Sequence, residues 1–307
     1  MQGNLPSTFF TEPPHFRWLI ILYFFIGGIS GGALLLAGLV RLFGRPEDRS
    51  FARLASYVAV VGAGISAILL IVDLSAPLRF WHMVIQNNTG RLMFKGWSPM
   101  SVGVWGLLLF SLFAFLSSLE GLAEEGPSQF RPFRFLTDPL IVIIIAVGGI
   151  ITGLFLAGYT GVLVAVTNRP VWADSSWLGV VFLLSAISTS TAALLLLAHW
   201  RRVGAPSLVA WLQRFDRFAL ILELVAIIAF IVSLGGAIHA LLNGWGVLLV
   251  LGVVVLGILI PLVVHGDRAL RGMVLPATLV LVGGFLLRVV VLLSSEQIHV
   301  LGTQVVR

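Results

Sequence analysis

The stretch WLIILYFFIGGISGGALLLAGLV (residues 18–40) has no charged side chain in 23 consecutive positions. As an α-helix it would be about 34 Å long, since each residue adds about 1.5 Å. The hydrocarbon core of a bilayer is about 30 Å thick and takes about 20 apolar residues to cross as a helix. Lipid offers no partner for the backbone N–H and C=O groups, and a helix pairs them internally. The stretch therefore predicts a membrane-spanning helix.

The rest of the sequence repeats this pattern. Of its 307 residues, 59% are hydrophobic and only 10% are charged, whereas about 25% of the residues of a soluble domain are charged. The apolar runs are far longer than the roughly 11 residues of a membrane β-strand. We expect one polytopic all-α integral membrane domain over residues 1–307, with eight transmembrane helices at 18–40, 52–72, 100–119, 140–158, 177–198, 218–242, 246–264 and 274–293.

The distribution of basic residues between the connections predicts the orientation. The odd-numbered connections hold twelve Lys and Arg residues, and the opposite side holds six. Basic residues favour the cytoplasmic side, so both termini and the even-numbered connections are expected to be extracytoplasmic. The even-numbered side also carries the motifs rich in aromatic and hydrogen-bonding residues, so we expect any chemistry there.

Cysteine is absent from the sequence, which excludes cysteine-ligated iron–sulfur clusters and disulfides in this polypeptide. Two haems would need four histidines inside helices as axial ligands, but all six histidines lie in loops or near segment ends. Only His199 and His265 share a membrane side at similar depth. A single haem is therefore a disfavoured alternative that the sequence leaves open, and we expect no metal or haem.

The motif DLSAPLRFWH (residues 73–82) follows the second apolar segment. Asp73 and Arg79 bracket Pro77, and we expect them either to pair across the turn or to act as interfacial anchors, because buried charges are costly. His82 ends the motif. Tyr159 lies at the outer end of the fourth segment, where a phenol can donate to a carbonyl while its ring lines an apolar wall. Tyr23 lies at similar depth.

Two ionisable residues lie deeper in the predicted helices. Glu223 is five residues into the sixth segment, and Arg288 is about fourteen residues into the eighth. Each is a candidate for a proton relay or for a buried pair. GGISGG (residues 27–32) and STST (residues 188–191) allow close helix packing. Close approach of a flat ligand to the glycines is the alternative.

Five motifs in order resemble the membrane-anchor subunits of the polysulfide reductase family, also called the NrfD/PsrC family. They are FFIGGISGGALLLAG, DLSAPLRFWH, GWSPMSVGVWG, YTGVLVAVTNRPVW with FLLSAISTSTAALL, and GGFLLRVVVLLSSEQ. The resemblance covers nearly the whole chain. It implies two four-helix bundles, residues 18–158 and 177–293, in a prokaryotic cytoplasmic membrane.

The resemblance also implies a function. Such a subunit binds menaquinone or ubiquinone near its outer end and has no redox metal. It exchanges electrons with a ferredoxin-like iron–sulfur subunit docked on the extracytoplasmic face, next to a molybdopterin catalytic subunit. Tyr159 matches the tyrosine of the family's YTG motif, which is thought to hydrogen-bond the quinone. Arg79 and Arg288 match arginines of the family's second and last motifs.

This sequence departs from the family pattern at three places. The family often has DLG-x-P where this chain has DLSAP, and a polar residue or histidine is common at the position of Tyr23. Glu296 precedes Gln297 where the family commonly has Gly-Gln, which adds a proton acceptor at the outer rim.

The favoured hypothesis is a quinone head between the first, second and fourth helices. In it, Tyr159 donates to one quinone oxygen, and Asp73, His82 or Glu296 exchanges protons with solvent. Glu223, Arg288 and Glu296 are the candidates for a proton path. Two alternatives stay open. One is a secondary transporter or channel, whose signature is charge or unwound backbone near the midplane, and the other is a passive anchor without a ligand.

Overall fold

The computed structural model describes residues 18–167, 169, 171–264 and 273–295. Apart from one isolated bridge between Ile85 and Leu92, the described residues form helices and their connections. The long helices are α1 Trp18–Phe43, α2 Arg49–Asp73, α3 Pro99–Glu125, α4 Pro139–Ala165, α5 Leu178–Arg201, α6 Pro206–Ser233, α7 Gly244–Val264 and α8 Val274–Ser294. Seven of them, all except α6, are long and apolar enough to cross a membrane. The all-helical membrane prediction is confirmed at this level.

Helix α6 differs most from the sequence prediction of residues 218–242. It begins at Pro206 in the first turn, where proline is tolerated because its missing N–H would be unpaired anyway. It ends at Ser233, before Gly235 with a φ of +52° and a short 3₁₀-helix, Gly235–Leu241. The apolar pattern continues through this turn, but the left-handed glycine ends the helix. Glu223 consequently lies 17 residues after Pro206 and not five residues into the helix.

Helix α1 is the central element of the fold. It packs against α2, α4 and α5, while α3 packs between α2 and α4. Helix α5 also packs against α4, α6 and α8, and α7 packs on α8. The GGISGG motif permits these contacts, because a Cβ on Gly31 would lie 2.8 Å from the Gly153 carbonyl oxygen of α4. A Cβ on Gly32 would lie 2.9 Å from the Ala186 carbonyl oxygen of α5. Close contacts with α4 and α5 therefore fill the space beside these glycines.

One end of the helix assembly is held by ion pairs. Three arginines at the end of α1 and the start of α2 meet three glutamates at the end of α3. The pairs are Arg41–Glu120, Arg41–Glu124 at 3.1 Å, Arg49–Glu124 at 2.7 Å and Arg53–Glu125 at 2.6 Å. Because successive helices run in opposite directions, the connections from α3 to α4 and from α5 to α6 lie at this same end. We call it the arginine-rich end.

The opposite end is held by neutral hydrogen bonds. Tyr159 of α4 donates to the Pro99 carbonyl of α3 at 2.7 Å. The indole of Trp172 donates to the Val291 carbonyl of α8 at 2.7 Å, so the connection from α4 to α5 is fastened to the last helix. We call this the arginine-poor end.

Candidate functional site

Polar and aromatic side chains from four helices lie at one depth below the arginine-poor end. Tyr23 is five residues after the start of α1, and Ser185 is seven residues after the start of α5. Tyr159 and Arg288 are each six residues before the ends of α4 and α8. At about 1.5 Å per residue, these positions lie about 8–11 Å below the helix ends. All four residues are buried.

Arg288 is 0% exposed and is bound from three helices. Its Nε donates to the Phe24 carbonyl of α1 at 3.3 Å, and its Nη1 donates to Ser185 Oγ of α5 at 3.0 Å. Nη1 also donates to the Gly284 carbonyl, 2.5 Å away in its own helix. Its Nη2 has no hydrogen-bond partner within the described residues.

Aromatic rings complete the walls around this guanidinium. Its carbon lies 5.7 Å from the centroid of Phe25 and 5.5 Å from that of Phe182. Cation–π contacts of this kind are worth about 2 kcal/mol when desolvated. A Cβ on Gly28 would lie 3.0 Å from Nη2, so the absence of a side chain at Gly28 makes room for the buried charge.

Glu223 of α6 extends this cluster on the other side of α5. Its carboxylate accepts from Ser188 Oγ at 2.8 Å. It also interacts electrostatically with Arg288. The structure therefore brings together the two deep ionisable residues that the sequence indicated, through serines of α5. We call Arg288, Ser185, Ser188 and Glu223 the buried charge cluster.

The remaining polar residues of the STST motif contribute to the helix itself. Thr189 donates to the Ser185 carbonyl at 2.6 Å, and Thr191 donates to the Ile187 carbonyl at 2.7 Å. Such bonds satisfy hydroxyls within their own helix. Of the four residues in the motif, Ser188 is the one that binds the carboxylate.

Tyr159 projects from α4 onto α3. Its phenol donates to the Pro99 carbonyl, and its ring stacks on Phe155 with centroids 5.2 Å apart and an interplanar angle of 20°. Any Cβ on Gly103 or Gly106 of α3 would overlap these two rings. The two glycines of the SVGVWG sequence therefore leave the space that the rings of Tyr159 and Phe155 occupy.

Tyr23 is the second buried phenol at this depth, with 3% exposure. Its ring packs against that of Phe24, with the two centroids 5.4 Å apart. Next to it, Ser66 of α2 is 0% exposed, and its Oγ has no hydrogen-bond partner in the described part of the chain. A Cβ on Gly27 would lie 3.4 Å from the Tyr23 ring and 3.5 Å from Ser66 Oγ, so the unsatisfied hydroxyl lies close to this phenol.

The turn after α2 differs from its expected arrangement. Asp73 is half-buried and Arg79 is exposed, and across the described ranges they form no ion pair with each other. Pro77 starts a short 3₁₀-helix, Pro77–Met83, in which no residue is buried. His82 is half-buried, its ring lies 3.9 Å from that of Trp81, and its buried Nε2 has no hydrogen-bond partner among the described residues. Glu296 lies outside the described residues.

Sequence reasoning missed two buried groups. Arg169, in the connection between α4 and α5, is 2% exposed and lies 5.0 Å from the Trp172 ring centroid. Between them Val171 has a φ of +72°, a strained conformation for a β-branched residue. Asp216 of α6 is 1% exposed. Asp216 could have been found from the sequence, because it lies seven residues before Glu223 and this spacing puts both residues on one helix face.

The described residues contain no group of three or more His, Asp or Glu side chains that could hold a metal ion. His199 is in the last turn of α5, at the arginine-rich end, and His265 lies outside the described residues. The haem alternative therefore gains no ligand pair from the described part of the chain.

These features define a polytopic helical membrane protein with a buried charge cluster and two phenols at one end. The sequence pattern of the polysulphide reductase NrfD family matches residues 6–300. The chain belongs to that family.

Three relatives illustrate the similarity. The chain is 27% identical to "Protein NrfD homolog" of Haemophilus influenzae, over 96% of this chain and 99% of the relative. It is 26% identical to a chain of the polysulfide reductase of Wolinella succinogenes, over 91% and 94% of the two sequences. It is 23% identical to a subunit of the selenate reductase of Mesobacillus selenatarsenatis, over 72% of this chain and 57% of the relative.

Proposed function

We propose that the chain is the quinone-interacting membrane subunit of a multi-subunit reductase. The names of two relatives, which belong to a polysulfide reductase and a selenate reductase, support membership in such a complex. In this proposal, electrons pass between the membrane quinone pool and a ferredoxin-like iron–sulfur subunit. A molybdopterin subunit then performs the substrate chemistry.

The proposal includes an arrangement in the membrane. All eight long helices cross the bilayer, as two four-helix bundles of residues 18–158 and 177–293. The packing of α1 to α4 around each other, and of α5 with α6 and α8, supports two bundles joined by α1, α4 and α5. The arginine-rich end faces the cytoplasm. The termini and the iron–sulfur subunit are extracytoplasmic, at the arginine-poor end.

The residues at the arginine-poor end fit a quinone head. Such a head is a flat apolar ring with two carbonyl oxygens, so it needs hydrogen-bond donors beside an aromatic wall. Ser66 Oγ and His82 Nε2 are buried polar atoms without a hydrogen-bond partner in the described ranges. The phenols of Tyr23 and Tyr159 supply further donors beside Phe155. When bound, menaquinone or ubiquinone supplies two-electron, two-proton redox chemistry.

The observation that carries the proposal is the hydrogen bond from Tyr159 to the Pro99 carbonyl. This carbonyl holds the phenol at the level of Tyr23, and Phe155 fixes the ring plane. With the ring plane fixed, a half-turn of the hydroxyl about its C–O bond redirects the O–H from Pro99 to a ligand carbonyl. The Tyr159 hydroxyl therefore changes its acceptor from the Pro99 carbonyl to the ligand carbonyl, while Phe155 keeps the ring in place.

Proton exchange is assigned to the ionisable groups around this level. Asp73, His82 and Glu296 exchange protons with solvent at the outer rim, while Arg79 supplies positive charge there. Glu223 holds a proton-accepting carboxylate at mid-depth through Ser188, and Arg288 fixes a positive charge next to it. An intramembrane carboxylate of this kind is a functional candidate by default.

The test is Tyr159→Phe in the purified reductase complex. We expect normal assembly and about tenfold slower quinol-linked turnover, since losing one hydrogen bond worth about 1.4 kcal/mol gives that factor. Tyr57→Phe is the matched control, because Tyr57 lies in α2 near Arg53 at the arginine-rich end. Unchanged quinone kinetics in Tyr159→Phe would remove this phenol from the site.

A further inference from the structure

A cavity lies at the arginine-rich end, away from the proposed quinone site. It has a volume of about 340 Å³ and is formed by the end of α1, the connection to α2 and the first turns of α6. This volume is within the roughly 300–1,000 Å³ typical of small-molecule sites. The cavity therefore has room for a ligand group.

The rim of the cavity has the composition of a membrane interface. Phe43 and Trp211 line it and are 81% and 38% exposed. Aromatic residues of this type concentrate at the level of lipid headgroups. The deeper wall is apolar, with Leu39, Val40 and Leu208. An acyl chain and its headgroup would meet chemically matched surfaces here.

Two guanidinium groups give the rim its positive charge. Arg45 comes from the connection after α1, and Arg214 comes from α6. Arg45 has one exposed carboxylate nearby, Glu47 at 3.5 Å, and exposed pairs of this kind contribute little. Arg214 donates its Nε to the Ala210 carbonyl at 3.3 Å and forms no ion pair with any described residue.

One negative group also lines the cavity. Asp48 is 4% exposed, and its Oδ2 accepts from the Arg45 backbone N–H at 3.0 Å. Its carboxylate is thus buried in the wall of the cavity, while the two arginines are at the surface. The net charge of the lining is positive, which complements an anion at the rim.

We propose that this cavity binds the headgroup of an anionic phospholipid, with its phosphodiester between Arg45 and Arg214 and its acyl chain along α1 and α6. The lipid would bridge the end of the first helix to the start of the sixth. Basic pockets between membrane helices bind lipid phosphates through this chemistry. The proposal is independent of quinone binding.

The experiment measures thermal unfolding of the full chain, purified in detergent and delipidated. Phosphatidylglycerol added in mixed micelles is expected to raise the unfolding temperature in a saturable way. The double variant R45Q/R214Q is expected to need about thirtyfold more lipid for half of the shift, because each of the two arginines contributes about 1 kcal/mol. The control is Arg134→Gln, an exposed arginine in the connection between α3 and α4, which should behave like wild type.

Three further measurements distinguish an anionic phospholipid from other ligands. Asp48→Asn removes a negative wall and should strengthen phosphatidylglycerol binding, while a weakened response in this variant would overturn the anionic assignment in favour of an ammonium headgroup. An equal shift with phosphatidylcholine would show that headgroup charge is irrelevant, and an equal shift with inorganic phosphate would show a free-anion site. Either result, or an unchanged midpoint in R45Q/R214Q, overturns the proposal. If R45Q/R214Q does not fold, R45K/R214K is used and is expected to retain part of the response.

Discussion

Arg288 and Glu223 contact two serines of α5, one helical turn apart, from two different helices. Arg288 donates to Ser185 Oγ at 3.0 Å. Ser188 donates to Glu223 at 2.8 Å, one turn further along. The two ionisable groups are thus connected through the serines of α5, and among the described residues no direct ion pair joins them.

Removing Arg288 should therefore destabilise the protein more than neutralising Glu223. Arg288→Met removes the donor to the Phe24 carbonyl, Ser185 Oγ and the Gly284 carbonyl, and each buried acceptor left unpaired costs about 1–3 kcal/mol. Glu223→Gln retains an acceptor for Ser188 and leaves the three hydrogen bonds of Arg288 in place, so we expect about 1 kcal/mol. The measurement is equilibrium unfolding in detergent micelles.

The control for this pair is Arg91→Gln, because Arg91 is exposed in the connection before α3 and should change stability by less than about 0.5 kcal/mol. The double variant R288M/E223Q should cost less than the sum of the single changes, since the buried charges are removed together. Additive costs would show that the two residues do not interact.

The sequence indicated these charges but not their partners. Arg288 and Glu223 stand out because charges in apolar helices are rare and costly. Ser185 does not stand out, since its contact depends on how α5 is rotated against α6 and α8. Likewise Tyr159 was predicted as a site residue, whereas its acceptor Pro99 is 60 residues away in the chain. Tertiary packing decides such pairs.

Helix boundaries show the same limit. The apolar pattern of 18–40 predicted α1 well, because hydropathy alone defines a span without breakers. Hydropathy did not predict the end of α6, because the apolar run continues through GGAIHALL. In the structure Gly235 adopts a positive φ and ends the helix. Of the two arrangements expected for Asp73 and Arg79, the ion pair does not form within the described residues, because Pro77 starts a separate exposed turn between them.

Gly103 should be needed for the position of Tyr159. In Gly103→Ala the added methyl would overlap the phenol, so the ring must move and the hydrogen bond to Pro99 is lost. We expect destabilisation of about 1–3 kcal/mol, as for other overpacked sites, together with slower quinol turnover. The matched control is Gly64→Ala in α2, where nothing lies within 4 Å of the added methyl.

Gly64→Ala should be neutral or stabilising by up to about 1 kcal/mol, because alanine is the better helix former. Both variants add the same methyl group to a helix, so differences between them come from the surroundings. If both glycine variants keep wild-type stability and turnover, α3 does not position the phenol.

Glu120 should stabilise the arginine-rich end. Its side chain is 7% exposed and pairs with Arg41, whose side chain is 13% exposed. Glu120→Gln leaves Arg41 with Glu124 alone, and we expect a loss of about 2 kcal/mol in the free energy of unfolding. Glu47→Gln is the control, since its pair with Arg45 is exposed and should contribute less than about 1 kcal/mol. Similar losses in both variants would show that burial does not strengthen the first pair.

The proposed orientation can be tested with single cysteines, because the natural sequence has none. Leu78 is 90% exposed in the turn after α2, and Gln129 is exposed in the connection between α3 and α4. In intact cells expressing the protein without its partners, a membrane-impermeant maleimide should label Leu78→Cys and not Gln129→Cys. In inverted membrane vesicles the pattern should reverse, because the arginine-rich end then faces the reagent. Labelling of Gln129→Cys in intact cells would place the arginine-rich end outside and move the proposed iron–sulfur docking face to the cytoplasm.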